Sequence, residues 1–523
     1  MNAGVLFVNA RVHALDGGAT PHAALAVQGG RVLALGSEAE LAPLLDQGLT
    51  RRDMGGATVL PGFMDCHSHM LLTGLVAQGL DLAAARSLDD VGDLVAGACA
   101  ALPPGAWLRG FLLEDQNLAQ GRMPEARELD RVAPGRPVVL FHPTLHRCAL
   151  SGAALAALGL LDTPRAVPGL DLRGGAPTGV VRDPGILTHV FPGVLRAMAR
   201  AELEAAAATA ARQALAAGVT LVQSMEGGEL TPGGSRLLLD CAPRLPLPVL
   251  CWNQSMDLAE VEALGLPRVG GCICADGELD ARTAALFEPY CDDPGNDGTL
   301  LYSQQTMDDF VLAAHSQGLQ VAVHCESDRA IEQVLRAVER AQRMAPRADA
   351  RHRIEHFELP TRGQIDRMAA AGMVASMQPA FLSEFIAGPR LAHMVELFGP
   401  HRARRLHPYR SILDAGVCVC GGSDSPVTPY APLRAVADAM RHPYPEQSVT
   451  LAEALAMFTT QAAHAVFAEA ERGCLRPGMR ADLTVLGADP FATAPDALEH
   501  IAVLETWVGG QRAHAAPGAP PLP

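Results

Sequence analysis

The feature that most constrains the fold of this 523-residue chain is an alternation of short apolar runs with helix-type stretches rich in Ala, Leu, Arg and Glu. Such alternation is typical of βα units, in which parallel strands are buried on both faces. Eight runs have the length and composition of strands, at residues 58–65, 219–224, 248–253, 271–277, 319–326, 353–358, 373–379 and 417–424. Eight parallel strands close a (β/α)8 barrel. The sequence therefore predicts an α/β fold of the TIM-barrel type.

The two ends of the chain have a different pattern, in which short alternating runs are separated by glycine-containing turns. Residues 1–58 contain such runs, and residues 473–514 contain more of them. Turn signals between runs of period two predict antiparallel strands, and neither piece alone covers its own apolar face. We therefore expect the two termini to combine into one small β-sandwich beside a barrel that occupies residues 59–472.

The barrel region carries a long insertion after its first strand, at about residues 80–215. Its Pro- and Gly-rich stretch at 164–184 predicts loops that face the substrate, whereas the alanine- and glutamate-rich stretch at 201–217 predicts a helix. The tail at 515–523 is of low complexity, and we expect it to fray.

The charge and the cysteine content of the chain indicate which kinds of binding partner and which cellular compartment to expect. The net charge of −16 argues against a nucleic acid or an anionic membrane surface, because both attract positive charge. The N-terminus has neither the basic region nor the long apolar region of a signal peptide. The 12 cysteines are scattered along the chain, which suits reduced thiols in a reducing compartment. We therefore expect a cytoplasmic protein that acts on a small molecule, with a homodimer as one oligomeric state.

The strongest local signal is a pair of histidines, His67 and His69, at the carboxyl end of the first predicted strand. Residues two apart in a strand project to the same side, so the two imidazoles form a ready chelating pair. Two histidines also occur at this spacing by chance. The pair alone therefore leaves metal binding open.

Other predicted strands end in the same type of residue. The run Val321-Ala322-Val323-His324 ends the fifth strand, Arg353-Ile354-Glu355-His356 ends the sixth, and Asp424 lies at the end of the eighth. The carboxyl ends of barrel strands gather at one face, so these side chains would converge with His67 and His69. Neutral imidazoles with one carboxylate form a donor set that suits zinc, manganese or iron, and open coordination positions would make the site catalytic.

Around these residues, further motifs extend along most of the chain. They read Leu102-Pro103-Pro104-Gly105-Ala106-Trp107-Leu108, Asp130-Arg131-Val132-Ala133-Pro134, Gly218-Val219-Thr220, Ala275-Asp276-Gly277, Glu288-Pro289-Tyr290 and Gly478-Met479-Arg480-Ala481-Asp482-Leu483. With the paired histidines, the sequence resembles the amidohydrolase superfamily. It is most similar to the amidohydrolase-3 branch, which includes N-substituted formamide deformylases and regulatory proteins of the exoenzyme type.

The resemblance implies two metal positions. His67 and His69 would hold the more buried ion together with Asp424, and His324 and His356 would hold a second ion. Asp424 would also take the proton of the attacking water and return it to the leaving nitrogen, as general base and acid. From the residues alone, Asp424 has an alternative role as a helix N-cap just after the strand.

One position departs from the family pattern. On the fourth strand the family commonly has a lysine that is carboxylated and bridges two metals, and Cys272 occupies that place here. A thiol cannot form a carbamate, but a thiolate is a soft ligand that suits zinc. Three interpretations stay open: Cys272 is a ligand or bridge, the site holds one metal, or Cys272 is an inert core residue.

The resemblance thus predicts an enzyme that hydrolyses a carbon–nitrogen bond of the amide type, most simply with one or two zinc ions. His146 matches a family segment that reaches the substrate, although it is equally compatible with a polar loop. No nucleophilic-serine elbow, phosphate loop or dinucleotide fingerprint offers a competing centre. The alternatives are a mononuclear deaminase-type amidohydrolase and a catalytically weak metal-binding or regulatory homologue.

Overall fold

The computed structural model describes residues 4–18, 20–145, 147–162, 164–182, 184–517 and 519. They divide into two compact units. The first unit comprises Met1–His69, Ala211–Met225 and Ala242–Pro523, and the second comprises Met70–Ala210 and Glu226–Cys241. None of the helices within the described ranges has the length and apolar character needed to cross a bilayer.

Eight parallel strands form a single sheet, as predicted. They are β1 Phe63–Ser68, β2 Val219–Glu226, β3 Val249–Asn253, β4 Arg268–Cys274, β5 Gln320–Cys325, β6 Arg353–His356, β7 Val374–Met377 and β8 Cys418–Gly421. Each strand is hydrogen-bonded to its neighbours in chain order, from β1 to β8. In β1, β2, β5, β6 and β7 every residue is buried, as expected for parallel strands that are covered on both faces. The predicted barrel is confirmed.

The segments just beyond β8 and β1 bring the two ends of the sheet together. The backbone N–H of Asp424 donates to the carbonyl of His67 at 2.7 Å, and that of His69 donates to the carbonyl of Ser425 at 2.8 Å. Gly422 permits this approach, because a Cβ atom there would lie 2.6 Å from the backbone nitrogen of His67. A side chain at this position would push β8 away from β1 and from the two histidines.

Helices follow the barrel strands and cover the sheet. The helix that follows β5 buries Ile331, Val334, Leu335 and Val338, which recur at the three- and four-residue spacing of one helix face. The α-helices of the first unit are Glu38–Leu41, Leu258–Leu264, Gln304–Ser316, Asp328–Met344, Arg362–Ala370, Pro389–Ala403, Tyr409–Asp414, Pro432–Met440, Leu451–Met457 and Thr460–His464. Its shorter turns are Ala42–Leu44, Ala242–Arg244, Leu382–Ile386, Pro445–Gln447, Pro490–Ala492 and Pro495–His500.

The terminal segments form two smaller sheets, one from N-terminal strands alone and one from strands of both termini. One has the strand order Arg31–Gly36, Ala24–Gln28, Val5–Val8 and Thr50–Asp53, and the other has the order Arg11–Val12, Thr58–Pro61, Leu483–Leu486, Val503–Val508 and Gln511–Ala515. Side chains of both sheets share one apolar cluster, in which the rings of Phe7 and Trp507 meet edge to face at 5.1 Å. A separate sandwich domain with the predicted bounds stays a prediction.

The expectation that these terminal strands are all antiparallel was wrong at two pairings. Val5–Val8 pairs in parallel with Thr50–Asp53, and Arg11–Val12 pairs in parallel with Thr58–Pro61. The chain passes from one sheet to the other twice, between Val8 and Arg11 and again between Asp53 and Thr58. Because both passages run in the same direction, the two strands of the second passage lie parallel to those of the first.

The second unit has a sheet of its own. Its strand order is Leu170–Arg173, Ala176–Arg182, Arg147–Leu150, Val138–Phe141, Leu108–Phe111 and Leu80–Asp81. Its helices are Met70–Gln78, Leu88–Ala101, Ala126–Val132, Gly152–Ala157, Phe191–Arg196, Gly234–Cys241 and the first part of Arg200–Ala216, with shorter turns at Asp115–Asn117, Pro164–Ala166 and Ile186–Val190. In its core, the ring of Phe141 stacks on those of Phe111 and Phe191, at 5.3 Å and 4.8 Å. The helix predicted at 201–217 is confirmed.

The prediction that residues 164–184 form loops was wrong for most of the segment. Leu170–Arg173 and Ala176–Arg182 form an antiparallel hairpin. Gly174 and Gly175, which suggested a loop, both have positive φ and make the two-residue turn of that hairpin.

We predict that Gly422→Ala lowers the free energy of unfolding by about 1 to 3 kcal/mol, because the added methyl group collides with the backbone of His67. Urea unfolding of the purified variant measures this loss. Gly363→Ala is the matched control, since Gly363 lies in a helix with open space around its Cβ position. If both alanine variants unfold at the same urea concentration, the close approach of β8 to β1 does not contribute to stability.

Candidate metal centre

Six side chains singled out in the sequence meet at the carboxyl ends of the barrel strands. These side chains come from β1 and the residue after it, from β4, β5 and β6, and from the segment after β8, and they are His67, His69, Cys272, His324, His356 and Asp424. Their donor atoms form three overlapping groups in which the atoms lie within 4.8 Å of one another. The structure thus brings together residues that are far apart in the sequence.

The first group consists of His67, His69 and Cys272, and Asp424 lies close to both of its histidines. The sulfur of Cys272 lies 3.2 Å from Nε2 of His67 and 3.5 Å from Nε2 of His69. Oδ1 of Asp424 lies 3.3 Å and 3.2 Å from the same two nitrogens. Ligand atoms around a tetrahedral zinc ion are separated by about 3.3 to 3.6 Å, given zinc–ligand bonds of about 2.0 to 2.3 Å. The separations of Cys272 and of Asp424 from the two histidine nitrogens are therefore each in the range for ligands of a zinc-sized cation.

The second group consists of Cys272, His324 and His356. The rings of His324 and His356 are 4.4 Å apart between centroids and nearly perpendicular. Cys272 belongs to both groups, so its sulfur lies between the two metal positions that were expected.

Two members of the site have buried polar atoms without a hydrogen-bond partner among the described residues. Neither ring nitrogen of His356 has one, and Oδ1 of Asp424 makes no hydrogen bond within the described ranges and meets His67 and His69 only at ion-pair distances. Leaving a buried donor or acceptor unpaired costs about 1 to 3 kcal/mol, so such atoms point to a ligand. The side chain of Asp424 caps no helix, because the next helix begins at Pro432 with Ala431 as its N-cap. The N-cap alternative for Asp424 is therefore wrong.

Hydrogen bonds fix the orientation of the two β1 histidines. Nδ1 of His67 lies 2.7 Å from a carboxylate oxygen of Glu355, and Nδ1 of His69 lies 3.0 Å from the backbone carbonyl of Met225. Because both partners accept hydrogen bonds, each Nδ1 carries the proton. Each Nε2 is then the atom that faces the other donors, which is the usual arrangement of a histidine that binds a metal.

Glu355 belongs to a charged network inside the barrel. Arg353, which is fully buried, donates from Nε and Nη2 to the two Glu355 oxygens, both at 2.8 Å. Its Nη2 also donates to the carbonyl of Cys66 at 2.8 Å and to Oγ of Ser376 at 2.7 Å. Burial alone would raise the pKa of the Glu355 carboxyl, but Arg353 and His67 outweigh burial and hold that pKa at about 2. Glu355 is therefore an anion that accepts from His67.

Sequence reasoning missed the role of Glu355. The available signal was the presence of two opposite charges, Arg353 and Glu355, two apart in a barrel strand in which every residue is buried. Charges are seldom fully buried unless they are paired. Such a pair directly before His356 indicates a supporting network for the site.

Opposite charges are close together in the site. Burial alone would raise the pKa of the Cys272 thiol, but His67 and His69 hold it well below its usual value. Burial alone would lower the pKa of His69, but Cys272 and Asp424 raise it to about 10. Protonated imidazoles therefore balance the negative charges of Cys272 and Asp424. A divalent cation would provide the same balance and release these protons on binding.

His146, which was predicted to reach the substrate, lies outside the described residues, so its role stays a prediction. Four residues earlier in the sequence, Nε2 of His142 lies 2.9 Å from Oε1 of Glu114, and its Nδ1 lies 2.9 Å from Oγ1 of Thr144. These contacts satisfy both ring nitrogens of His142. The burial of His142 is therefore accounted for by hydrogen bonds within the protein.

Comparisons with known proteins agree with this geometry. The sequence profile of the Amidohydrolase family matches residues 52–514. The chain is 30% identical to the protein YtcJ of Bacillus subtilis (strain 168), over 88% of this chain and 89% of YtcJ. It is 28% identical to the N-substituted formamide deformylase of Arthrobacter pascens, over 97% of each chain. A crystal structure of an uncharacterized metal-dependent hydrolase from Pyrococcus furiosus superimposes with a TM-score of 0.78 and 25% identity, covering 93% of this chain and 99% of that one.

We predict that Glu355→Gln weakens zinc binding by about 10- to 100-fold, because His67 loses the anion that fixes its tautomer. Competition with a chelator of known zinc affinity measures the change. Ser376→Ala is the control, since it removes another hydrogen bond of Arg353 and leaves His67 untouched. Equal zinc affinity in Glu355→Gln and the parent protein would show that the carboxylate does not support a metal ligand.

Proposed function

This chain belongs to the amidohydrolase family, and from that premise we propose that it cleaves an amide-type carbon–nitrogen bond of a small molecule with the help of a divalent metal. The observation that carries the proposal is the convergence of histidine, cysteine and aspartate donors at the barrel face, with unpaired buried atoms on His356 and Asp424. Donors of this type, left open to an ion and a substrate, favour catalysis over a purely structural role.

In this proposal His67, His69 and Asp424 hold one ion, and His324 and His356 hold a second ion. Cys272 contributes a thiolate between them, which the low pKa of its thiol supports. Zinc is the favoured metal because imidazole and thiolate ligands suit it, with manganese and iron as the other candidates. When bound, the metal would supply the positive charge that polarises the substrate carbonyl and makes a water molecule more acidic.

Asp424 performs the proton transfers. Its carboxylate is buried beside His67 and His69, and together these two histidines lower its pKa despite the effect of burial. As the water oxygen adds to the carbonyl carbon, the Asp424 carboxylate accepts the proton of that water. The same proton then passes to the nitrogen as the carbon–nitrogen bond breaks, so the products are a carboxylic acid and an amine.

The name of one relative supports the choice of bond. The Arthrobacter pascens protein is named for the deformylation of N-substituted formamides, and it aligns with nearly the whole of this chain. We therefore propose N-substituted formamides as the first substrates to test, together with N-acyl and cyclic amides.

A second candidate function is that of a mononuclear deaminase-type amidohydrolase. It is favoured by the short distances at His67 and His69, whose Nε2 atoms lie within 3.5 Å of the Cys272 sulfur and within 3.3 Å of Oδ1 of Asp424. Metal analysis of the protein as purified separates the two proposals. About one zinc per chain supports the mononuclear enzyme, and about two support the binuclear one.

We predict that Asp424→Asn lowers kcat/KM for formamide hydrolysis by at least about 100-fold, because an amide cannot accept the proton of water. The assay follows amine release by the zinc- or manganese-loaded protein. Asp46→Asn, at an exposed position, is the control and should hydrolyse at the parent rate. Hydrolysis by Asp424→Asn at the parent rate would refute the proton-transfer role.

We also predict that Cys272→Ser lowers zinc affinity by about 10-fold or more, because a serine hydroxyl stays protonated where the thiol ionises. Elemental analysis after dialysis against a weak chelator gives the metal content. Cys274→Ser, in the same strand and outside the donor groups, should retain its zinc. If Cys272→Ser keeps as much zinc as Cys274→Ser, Cys272 is a packing residue.

A further inference from the structure

Gln254 lies directly after β3, at the face of the barrel where the candidate ligands gather. Its side-chain Nε2 donates to the backbone carbonyl of Met225 at 3.2 Å. The same carbonyl oxygen accepts from Nδ1 of His69 at 3.0 Å. Gln254 and the candidate ligand His69 therefore share one hydrogen-bond acceptor. The sequence analysis did not select Gln254.

The contact with Met225 fixes which end of the Gln254 amide faces away. A backbone carbonyl only accepts hydrogen bonds, so the amide NH2 group must face it. The amide oxygen, Oε1, then occupies the other position. Oε1 is buried and has no hydrogen-bond partner among the described residues, and the whole residue is 8% exposed.

Most buried acceptors in proteins are paired. Unpaired glutamine oxygens also occur away from the candidate ligands, as in Gln320 at the start of β5 and Gln333 in the helix after it, whereas Gln254 lies at the face where those ligands gather. In Gln254 the NH2 group donates a hydrogen bond, whereas the oxygen accepts none from the described residues. An unpaired acceptor next to a catalytic site is suited to a ligand that brings a hydrogen-bond donor.

We infer that Oε1 of Gln254 accepts a hydrogen bond from the N–H group of the scissile amide, which makes Gln254 a specificity-determining residue. The inference rests on the proposed function and deepens it, because it defines the substrate class as primary and secondary amides. A tertiary amide has no N–H, so it would leave Oε1 buried and unpaired. The enzyme therefore discriminates against tertiary amides by chemistry as well as by size.

The test compares N-benzylformamide with N-benzyl-N-methylformamide, which differ by one N-methyl group. We expect the zinc-loaded parent to prefer the secondary amide by about 10-fold or more in kcat/KM. In Gln254→Met, which retains the length of the side chain and removes the acceptor, the preference should fall to about 2-fold or less. The ratio of the two substrates cancels any loss of metal from the variant, and Gln47→Met, at an exposed position, should keep the parent ratio. An unchanged ratio in Gln254→Met overturns the inference, because a steric cause would survive this substitution.

A binding measurement separates this inference from the proposed function. Calorimetric titration of zinc-loaded Asp424→Asn with the same two compounds requires no hydrolysis. Tighter binding of the secondary amide that disappears in Asp424→Asn/Gln254→Met supports the role of Gln254, even if the parent hydrolyses neither compound and the proposed reaction is wrong. Equal binding of both compounds, or binding of neither, overturns the inference.

Discussion

The hydrogen bond between His67 and Glu355 joins the chemistry at the strand ends to the interior of the barrel. Glu355 is fully buried and paired with Arg353, which also bonds to Cys66, Ser376 and, by a short contact, Gln223. A buried ion pair recovers its cost of desolvation only when its remaining donors and acceptors are satisfied. Here Arg353 reaches several strands at once, so the orientation of one histidine depends on the closure of the whole sheet.

The position of Cys272 determines the electrostatics of the site. Its sulfur lies near the ring nitrogens of both β1 histidines and belongs to the group that contains His324 and His356. A thiolate at this point is softer than a carboxylated lysine and occupies less space, which favours zinc over magnesium or calcium. The same thiolate places negative charge beside Asp424, and protonated imidazoles compensate for it. Charge balance thus links the choice of metal to the ionisation of the proposed base.

The strands and the site residues on them could be predicted because parallel-strand geometry alone brings their carboxyl ends together. To place His67, His324 and Asp424 at one face, it was enough to predict where the first, fifth and eighth barrel strands end. The supporting contacts could not be predicted in the same way. His69 bonds to a backbone carbonyl, a group that every residue has, so no side chain in the sequence indicates it. Gln254 is visible as a residue, but its unpaired oxygen depends on which atom of its amide faces Met225. The hairpin around Gly174 was missed because glycine marks loops and tight turns alike.

The pairing of Thr58–Pro61 with Leu483–Leu486 has a consequence for biosynthesis. The ribosome releases the chain from its N-terminus, so the early strand emerges long before the strand that will cover its edge. Until translation is nearly finished, an unprotected β-edge directly precedes the segment that bears His67 and His69. A chain that ended before Leu483 would keep that edge unpaired, and an unpaired edge is a template for pairing with other chains. The C-terminal strand therefore protects an edge that the N-terminal part of the chain exposes first.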